Sequence, residues 1–126
     1  MIKNVFLVIA LITLTACKVM APVTTPHAQI PASYQLTSTQ VKNTLLEVLS
    51  ERRWDVQRIT DTQIFAKHNK QDRHDASIVI DYSSHDFTIR YQDSHNMKYG
   101  NGMIHRNYNR WVETIRIDFN RKLNIN

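Results

Sequence analysis

The chain has 126 residues, 42% of them hydrophobic and 21% charged, which is enough for one small domain. Its net charge of +5 is spread along the sequence without a basic block, so we expect a solvated surface and no nucleic-acid partner. Its two glycines form neither GxGxxG nor GxxxxGK, which excludes the glycine-loop phosphate sites of nucleotide-binding proteins.

The chain begins with a short apolar run, from Val5 to Leu14, which follows a single positive charge at Lys3. A helix needs about 20 apolar residues to cross a hydrocarbon core, so this run is too short for a stable span. A basic flank, a short apolar run and a small residue at its boundary are typical of a secretion signal. We therefore expect residues 1–16 to be a signal peptide. The alternatives are an ordinary signal peptide with an incidental cysteine and a short membrane anchor.

Cys17 is the only cysteine and has no partner for a disulfide within the chain. The sequence Leu14-Thr15-Ala16-Cys17 resembles the lipobox of bacterial lipoproteins. That resemblance implies that the signal is cut between Ala16 and Cys17, and that Cys17 carries covalent lipid; we expect no other cofactor. In this class an aspartate after the cysteine tends to retain the protein in the inner membrane. Because Lys18 stands there instead, the resemblance implies acyl attachment to the outer membrane, with the domain in the periplasm.

Residues 17–35 combine Pro22, Pro26 and Pro31 with small polar neighbours and show no apolar period. This composition predicts a flexible tether between the lipid and the folded domain. As a coil, the tether would place the domain roughly 20–30 Å from the lipid surface.

A first helix is predicted next, because Thr37 and Gln40 have the spacing of a capping box. The helix is expected to end near Arg52 and Arg53, whose positive charge complements the carboxyl end of the helix dipole. Its apolar residues recur at helical spacing: Val41, Leu45, Val48 and Leu49.

Four short runs with alternating apolar residues then predict an antiparallel meander of strands. The runs are Trp54–Ile59, Gln63–His68, Ala76–Tyr82 and Phe87–Tyr91. One face of this sheet is expected to be apolar and therefore covered. Its predicted residues are Val56, Ile64, Ala66, Ile78, Ile80, Phe87, Ile89 and Tyr91.

A long amphipathic helix is predicted at the end of the chain, after a loop from Asp93 to Gly102. Its apolar stripe is Ile104, Tyr108, Trp111, Ile115, Phe119 and Leu123. The sequence therefore predicts an α+β domain over residues 36–126. We expect a small two-layer α-β-β-β-β-α sandwich, in which both helices pack on one face of a four-stranded antiparallel meander.

Several motifs lie within these elements: Trp54 after the first helix, Ile78-Val79-Ile80-Asp81-Tyr82, Ile89-Arg90-Tyr91-Gln92-Asp93-Ser94 and Ile104-His105-Arg106-Asn107-Tyr108-Asn109-Arg110-Trp111. Together they resemble a family of small bacterial outer-membrane lipoproteins of uncharacterised function, over about Leu36 to Leu123. The chain departs from that pattern at Arg53 and Gln63, where the family favours glycine, so turn geometry is open at both positions. The resemblance implies no activity.

The most informative polar cluster joins the end of the fourth strand, its loop and the start of the last helix. Its members are Tyr91, Asp93, Ser94, Tyr99, His105, Tyr108 and Asn109. Aromatic rings and hydrogen-bonding groups around a loop suit contacts with a protein or a glycan. The alternative is structural, with the rings filling one end of the domain and the polar groups capping the helix.

Enzyme and metal sites receive little support from the sequence. Asp93, Ser94 and His95 are the residue types of a hydrolase triad, but adjacent residues on one strand do not form its geometry, and Asp93-Ser94 is expected to be a turn. The six histidines include no closely spaced zinc-binding pair, so we expect no metal site.

Three hypotheses about function follow. The leading one is a non-catalytic binding or adaptor module, anchored at the outer membrane and contacting an envelope protein. The second is a protein that binds cell-wall glycan, lipopolysaccharide or phospholipid through Arg58, Arg73, Arg90 and Arg106. The third is a small hydrolase around His105, for which no nucleophile and base can be named.

Overall fold

The computed structural model describes residues 19–71 and 73–126. The predicted signal peptide, Cys17 and Lys18 lie outside the described residues, so their assignments stay predictions. In the described part, seven strands and two α-helices follow the chain as β1 (Met20–Pro22), β2 (His27–Gln29), α1 (Ser38–Glu51), β3 (Asp55–Ile59), β4 (Gln63–Lys70), β5 (His74–Tyr82), β6 (Asp86–His95), β7 (Met103–His105) and α2 (Arg106–Leu123).

Helix α1 confirms its prediction at both ends. The Thr37 side chain accepts a hydrogen bond from the Gln40 backbone, and the Gln40 side chain accepts one from the Thr37 N–H at 2.8 Å. At the other end the Trp54 N–H donates to the Leu49 carbonyl at 2.8 Å, which forms a Schellman motif. That motif places Arg53 in the left-handed region, with φ of 63°, and explains why glycine would suit this position. The predicted core residues of the helix are fully buried: Val41, Leu45, Val48 and Leu49.

The main sheet has five antiparallel strands in the order β2-β6-β5-β4-β3. The four predicted strands are all present, so the α+β class is confirmed, but the four-stranded detail is wrong because β2 adds a fifth strand beside β6. Most of the predicted apolar face is buried. The exceptions are Tyr91, which is half-buried, and Val56, which is 37% exposed because it lies on the edge strand β3.

The expectation of a flexible tether is wrong from Met20 onward. Strand β1 pairs with β7 and β2 pairs with β6, while Ala28 and Ile30 are buried in the core. Proline lacks only the N–H, so the Pro26 carbonyl still accepts from the Ile89 N–H at 2.9 Å. The proline-rich composition therefore fits edge strands here, where few backbone donors are needed.

Two further expectations are corrected around the last strands. Asp93 and Ser94 do not form a turn, because β6 continues to His95 and pairs them with Ser77 and Ala76 of β5. Ile104 belongs to β7, where it pairs with Ala21, and α2 begins only at Arg106. The pairing of β5 with β6 shifts register between Ser77 and Ile78 and then continues to His95.

Both helices share one core with the main sheet. Phe119 of α2 meets Phe87 of β6 edge to face, with 4.7 Å between the ring centroids. The helices are joined by Arg52, which donates two hydrogen bonds to the nearly buried Asp118. Neither helix in this described part of the chain is long and apolar enough to cross a membrane.

Candidate functional site

Three tyrosines of the predicted cluster lie together at the end of the sheet. The rings of Tyr91 and Tyr99 stack with 4.1 Å between centroids, and Tyr108 meets Tyr91 edge to face at 5.6 Å. The Tyr91 and Ser94 hydroxyls are hydrogen-bonded at 2.8 Å. We call Tyr91, Ser94, Tyr99 and Tyr108 the tyrosine patch. It is the part of the predicted cluster that the fold does assemble.

The three tyrosines of the patch differ in burial, from the fully buried Tyr108 through the half-buried Tyr91 to the exposed Tyr99. Tyr108 is fully buried, and its hydroxyl has no hydrogen-bond partner among the described residues. Burial raises the pKa of Tyr108 far above its ordinary value and also raises that of Tyr91, although the Ser94 hydrogen bond opposes the second shift. Tyr99 is 53% exposed, so the patch offers solvent one aromatic ring on a buried support.

The loop that carries Tyr99 has an unusual backbone. Asn96, Lys98 and Asn101 have positive φ angles of 57°, 53° and 52°. Left-handed backbone is common for asparagine but unfavourable for lysine, so the surrounding contacts must hold Lys98 in place. Beside this loop lies a shallow depression of about 540 Å³, in which Asp93 and Lys98 balance each other's charge.

The other members of the predicted cluster have structural contacts instead. The His105 Nδ1 accepts a hydrogen bond from the Asn107 N–H at 3.1 Å and thereby caps α2. Asn109 fixes the first described strand, since its side chain donates to the Pro22 carbonyl at 2.8 Å and accepts from the Thr24 N–H at 3.0 Å. Asp93 is exposed, pairs with Ser77 of β5 and lines the depression beside the patch.

Titration of the two histidines near the patch is shifted in opposite directions. Burial lowers the pKa of His105, and the neighbouring His74, Arg106 and Lys98 lower it further. A hydrogen bond from His95 to the Asp75 carboxylate, at 2.8 Å, raises the pKa of His95.

Asp93, Ser94 and His95 do not contact one another as a catalytic triad would. The Ser94 hydroxyl bonds Tyr91, and the His95 ring bonds Asp75 rather than Ser94. Within residues 19–71 and 73–126 no group of three or more histidine, cysteine or acidic side chains is placed to hold a metal ion.

A second aromatic group, which the sequence interpretation assigned to the core or left unused, joins the end of α1, β4 and α2. His68 contacts both tryptophans of the chain: its ring centroid is 5.1 Å from that of Trp54 and 4.7 Å from that of Trp111. The His68 Nδ1 donates to the Arg53 carbonyl at 3.2 Å, which fixes the ring against the end of α1. Trp54 is buried, whereas His68 and Trp111 are half-buried and reach the surface.

Two adjoining depressions, of about 250 and 290 Å³, share His68 and Trp111 in their walls. Together they form what we call the aromatic cleft. Its other lining residues are mostly basic or amide-bearing: Arg52, Trp54, Arg110 and Thr114 on one side, and Arg53, Asn69, Lys70 and Gln71 on the other.

The charge of the aromatic cleft is one-sided. No carboxylate in the described part of the chain lines either depression. Arg52 is neutralised by Asp118, whose pKa the Arg52 hydrogen bond lowers. Arg53 and Arg110, in contrast, form no salt bridge with any described carboxylate. The cleft therefore combines half-buried aromatic rings with guanidinium groups that are available to an anion.

The four arginines proposed from sequence do not form a site. Arg58 lies over the Phe65 ring, 4.0 Å from its centroid, and Arg90 is paired with Asp81 on the same outer face of the sheet. Arg73 lies in the turn between β4 and β5, and Arg106 is the first residue of α2. No local sequence pattern could have pointed to Arg53 and Arg110 instead, because the cleft is formed by residues at the end of α1, in β4 and in α2 that come together only in the folded chain.

Comparison of the chain with protein-family models finds no match, and comparisons with curated proteins and with solved structures find none either. Functional inference therefore rests on the geometry of the tyrosine patch and of the aromatic cleft.

Proposed function

We propose that this protein is a lipid-anchored, non-catalytic binding module at the periplasmic face of the bacterial outer membrane. The lipobox-like sequence ending at Cys17 supports the anchor. The tyrosine patch supports a protein partner in the envelope, because tyrosines with a supported ring and a polar rim are frequent energetic centres of protein interfaces. Anchoring would raise the concentration of the patch close to a membrane partner.

The observation that carries this proposal is the presentation of Tyr99. Its ring is 53% exposed although it stacks on Tyr91, and Lys98 beside it is in left-handed backbone. Strained backbone persists only where the surrounding structure enforces it, and such positions cluster at functional sites. A rigid, exposed ring loses little conformational entropy when a partner covers it.

The test places a photo-crosslinking amino acid at Tyr99 in cells, with Ile59 as the matched control. Ile59 is also an exposed apolar residue, at 45%, but lies on the far edge strand β3. We expect one discrete crosslinked protein from position 99 and none from position 59. Equal or absent crosslinking at both positions would contradict the assignment of the patch.

A variant at Cys17 tests the lipid anchor in the same experiment. Cys17→Ser should abolish acylation and release the protein from the membrane fraction, and it should reduce the crosslink from position 99. A Cys17→Ser protein that stays in the membrane fraction with an undiminished crosslink would rule out the lipid-anchored part of the proposal while leaving the patch in place.

A further inference from the structure

We infer that the aromatic cleft is a binding site for an anionic glycan, in which a sugar ring packs on Trp111 while carboxylate or phosphate groups of the chain are held by Arg110 in one depression and by Arg53 in the other. This site is separate from the tyrosine patch, since the depressions of the cleft and the depression beside the patch have no lining residue in common. Only the choice of a glycan rests on the proposed envelope location.

The anionic part of the ligand follows from charge complementarity. Arg53, Arg110 and Lys70 line the cleft, and no described carboxylate lines it with them. A guanidinium group offers a planar fork of N–H donors that fits carboxylate and phosphate oxygens. Because Arg52 is already bound to Asp118, it forms a fixed wall of the cleft. Arg53 and Arg110 form no salt bridge with a described carboxylate, so their guanidinium groups are the ones left to contact the ligand.

The sugar part follows from the aromatic wall. One face of a pyranose ring carries mainly C–H groups, which pack well against the flat face of an indole, while its hydroxyls remain at the solvent side. Trp111 is held in this role by its edge-to-face contact with His68, 4.7 Å between centroids, and Trp54 supports His68 from the other side at 5.1 Å. The wall is thus fixed before a ligand arrives.

The shape of the cleft favours a segment of a polymer over an enclosed small molecule. Its two depressions of about 250 and 290 Å³ lie side by side and are open, so that neighbouring sugar units could continue past Trp111 in either direction. The amide group of Gln71 lines one of them and suits sugar hydroxyls.

The test uses the full-length protein purified from whole-cell detergent extracts, with binding measured by calorimetry and by tryptophan fluorescence. Both tryptophans of the chain belong to the cleft, so the emission reports this site. The probes are polygalacturonate, which carries carboxylates, and a phosphomannan, which carries phosphates. Neutral dextran and polyglutamate, an anionic chain without sugar, are the controls.

We expect polygalacturonate, the phosphomannan or both to bind and to change the tryptophan emission, with affinity falling as salt concentration rises. Binding of only one identifies the anionic group that the cleft accepts. No binding of either glycan, or equal binding of dextran, would overturn the anionic site. Equal binding of polyglutamate would overturn the sugar contact.

Two matched variants place the ligand in the cleft. Arg110→Gln should weaken glycan binding about tenfold, because one charge-assisted contact is lost, whereas Arg121→Gln removes the same charge from the same helix outside the cleft and should leave it unchanged. Trp111→Leu should weaken binding while keeping an apolar residue over His68. Equal weakening by Arg110→Gln and Arg121→Gln would overturn the site. These measurements need no anchor. Their result therefore does not depend on whether the crosslink at Tyr99 is found.

Discussion

The tyrosine patch and the aromatic cleft use similar rings in opposite electrostatic settings. In the patch, the Tyr91 hydroxyl is bonded to Ser94, and the charges of Asp93 and Lys98 beside it balance. In the cleft, Trp111 lies among Arg53, Lys70 and Arg110, and no described carboxylate lines either depression with them. A balanced aromatic surface suits another folded protein, and an uncompensated basic one suits an anion.

The two regions also differ in how much of each is buried in the core. The cleft rests on Trp54, which is only 4% exposed, whereas the patch ends in Tyr99, which is 53% exposed. Substitutions in the cleft should therefore change stability and binding together. Substitutions at the tip of the patch should change binding alone.

The largest expected effect comes from Trp54→Ala, which should lower the free energy of unfolding by about 3–5 kcal/mol because it leaves a cavity under His68. Tyr99→Ala, in contrast, should change it by less than about 0.5 kcal/mol, as for other exposed side chains. Urea denaturation of both variants measures the difference. Similar losses for the two would mean that Tyr99 is a structural residue.

Tyr108→Phe tests the buried end of the patch. The Tyr108 hydroxyl is buried without a described partner, so removing it should raise the free energy of unfolding by about 1 kcal/mol. The same urea titration detects the gain, and Tyr91→Phe is the control, because it removes a hydroxyl that is bonded to Ser94. A loss of stability in Tyr108→Phe would reveal a bound water or another partner.

His105 should make the stability of the patch region depend on pH. Its folded pKa lies below the ordinary 6.5, so the unfolded chain binds the proton more readily, and stability should fall as pH drops through 6.5. Protonation also removes the lone pair that accepts from the Asn107 N–H, a cap worth about 1 kcal/mol.

His105→Asn keeps a capping acceptor that does not titrate. The stability difference between the wild type and this variant should therefore change by about 1 kcal/mol between about pH 8 and about pH 5, as measured by thermal unfolding. His95 has a raised pKa and contributes with the opposite sign, lost as pH rises, but it is present in both proteins and cancels. A difference that does not vary with pH would exclude the cap.

The smallest expected effect is at Arg53, on the rim of the cleft. Because its φ is 63°, Arg53→Gly should relieve left-handed strain and raise the free energy of unfolding by roughly 0.5–1 kcal/mol. The same change should weaken binding of an anionic glycan, since it removes one cation. Lys42→Gly, in the middle of α1, should instead destabilise the protein. If Arg53→Gly destabilises the protein, the contacts of the Arg53 side chain contribute more to stability than the relief of backbone strain.

Local patterns predicted the elements that carry their own signals. The capping box at Thr37 and the alternation of Ile78 and Ile80 are each decided within a few residues, and the fold follows them. The pairing of β2 with β6 could not be predicted in this way, because Ala28 becomes a core residue only when a distant strand offers it an edge. The cleft has the same origin: Trp54 and Trp111 are far apart in sequence and meet through His68.

Of the predicted cluster, the three tyrosines are in contact in the structure. Their proximity could be expected, since Tyr91 and Tyr108 have core-facing periodicity and Tyr99 lies in the loop between them. The sequence could not separate His105 and Asn109 from them. The clamping contacts of Asn109 depend on the segment around the first strand, which the proline-rich composition had hidden, whereas the His105 cap is local to the start of α2.

The ordered first strand also sets how far the domain can stand from a membrane. Only Lys18 and Val19 lie between Cys17 and Met20, where β1 begins, and three fully extended residue steps reach about 10 Å. If the protein is acylated at Cys17, its folded domain would therefore be held close to the lipid headgroups, with its orientation relative to the membrane restricted. The proposed protein partner and glycan would then have to lie within about 10 Å of the membrane surface. Inserting residues between Cys17 and Met20 would therefore test which of the two ligands the domain reaches.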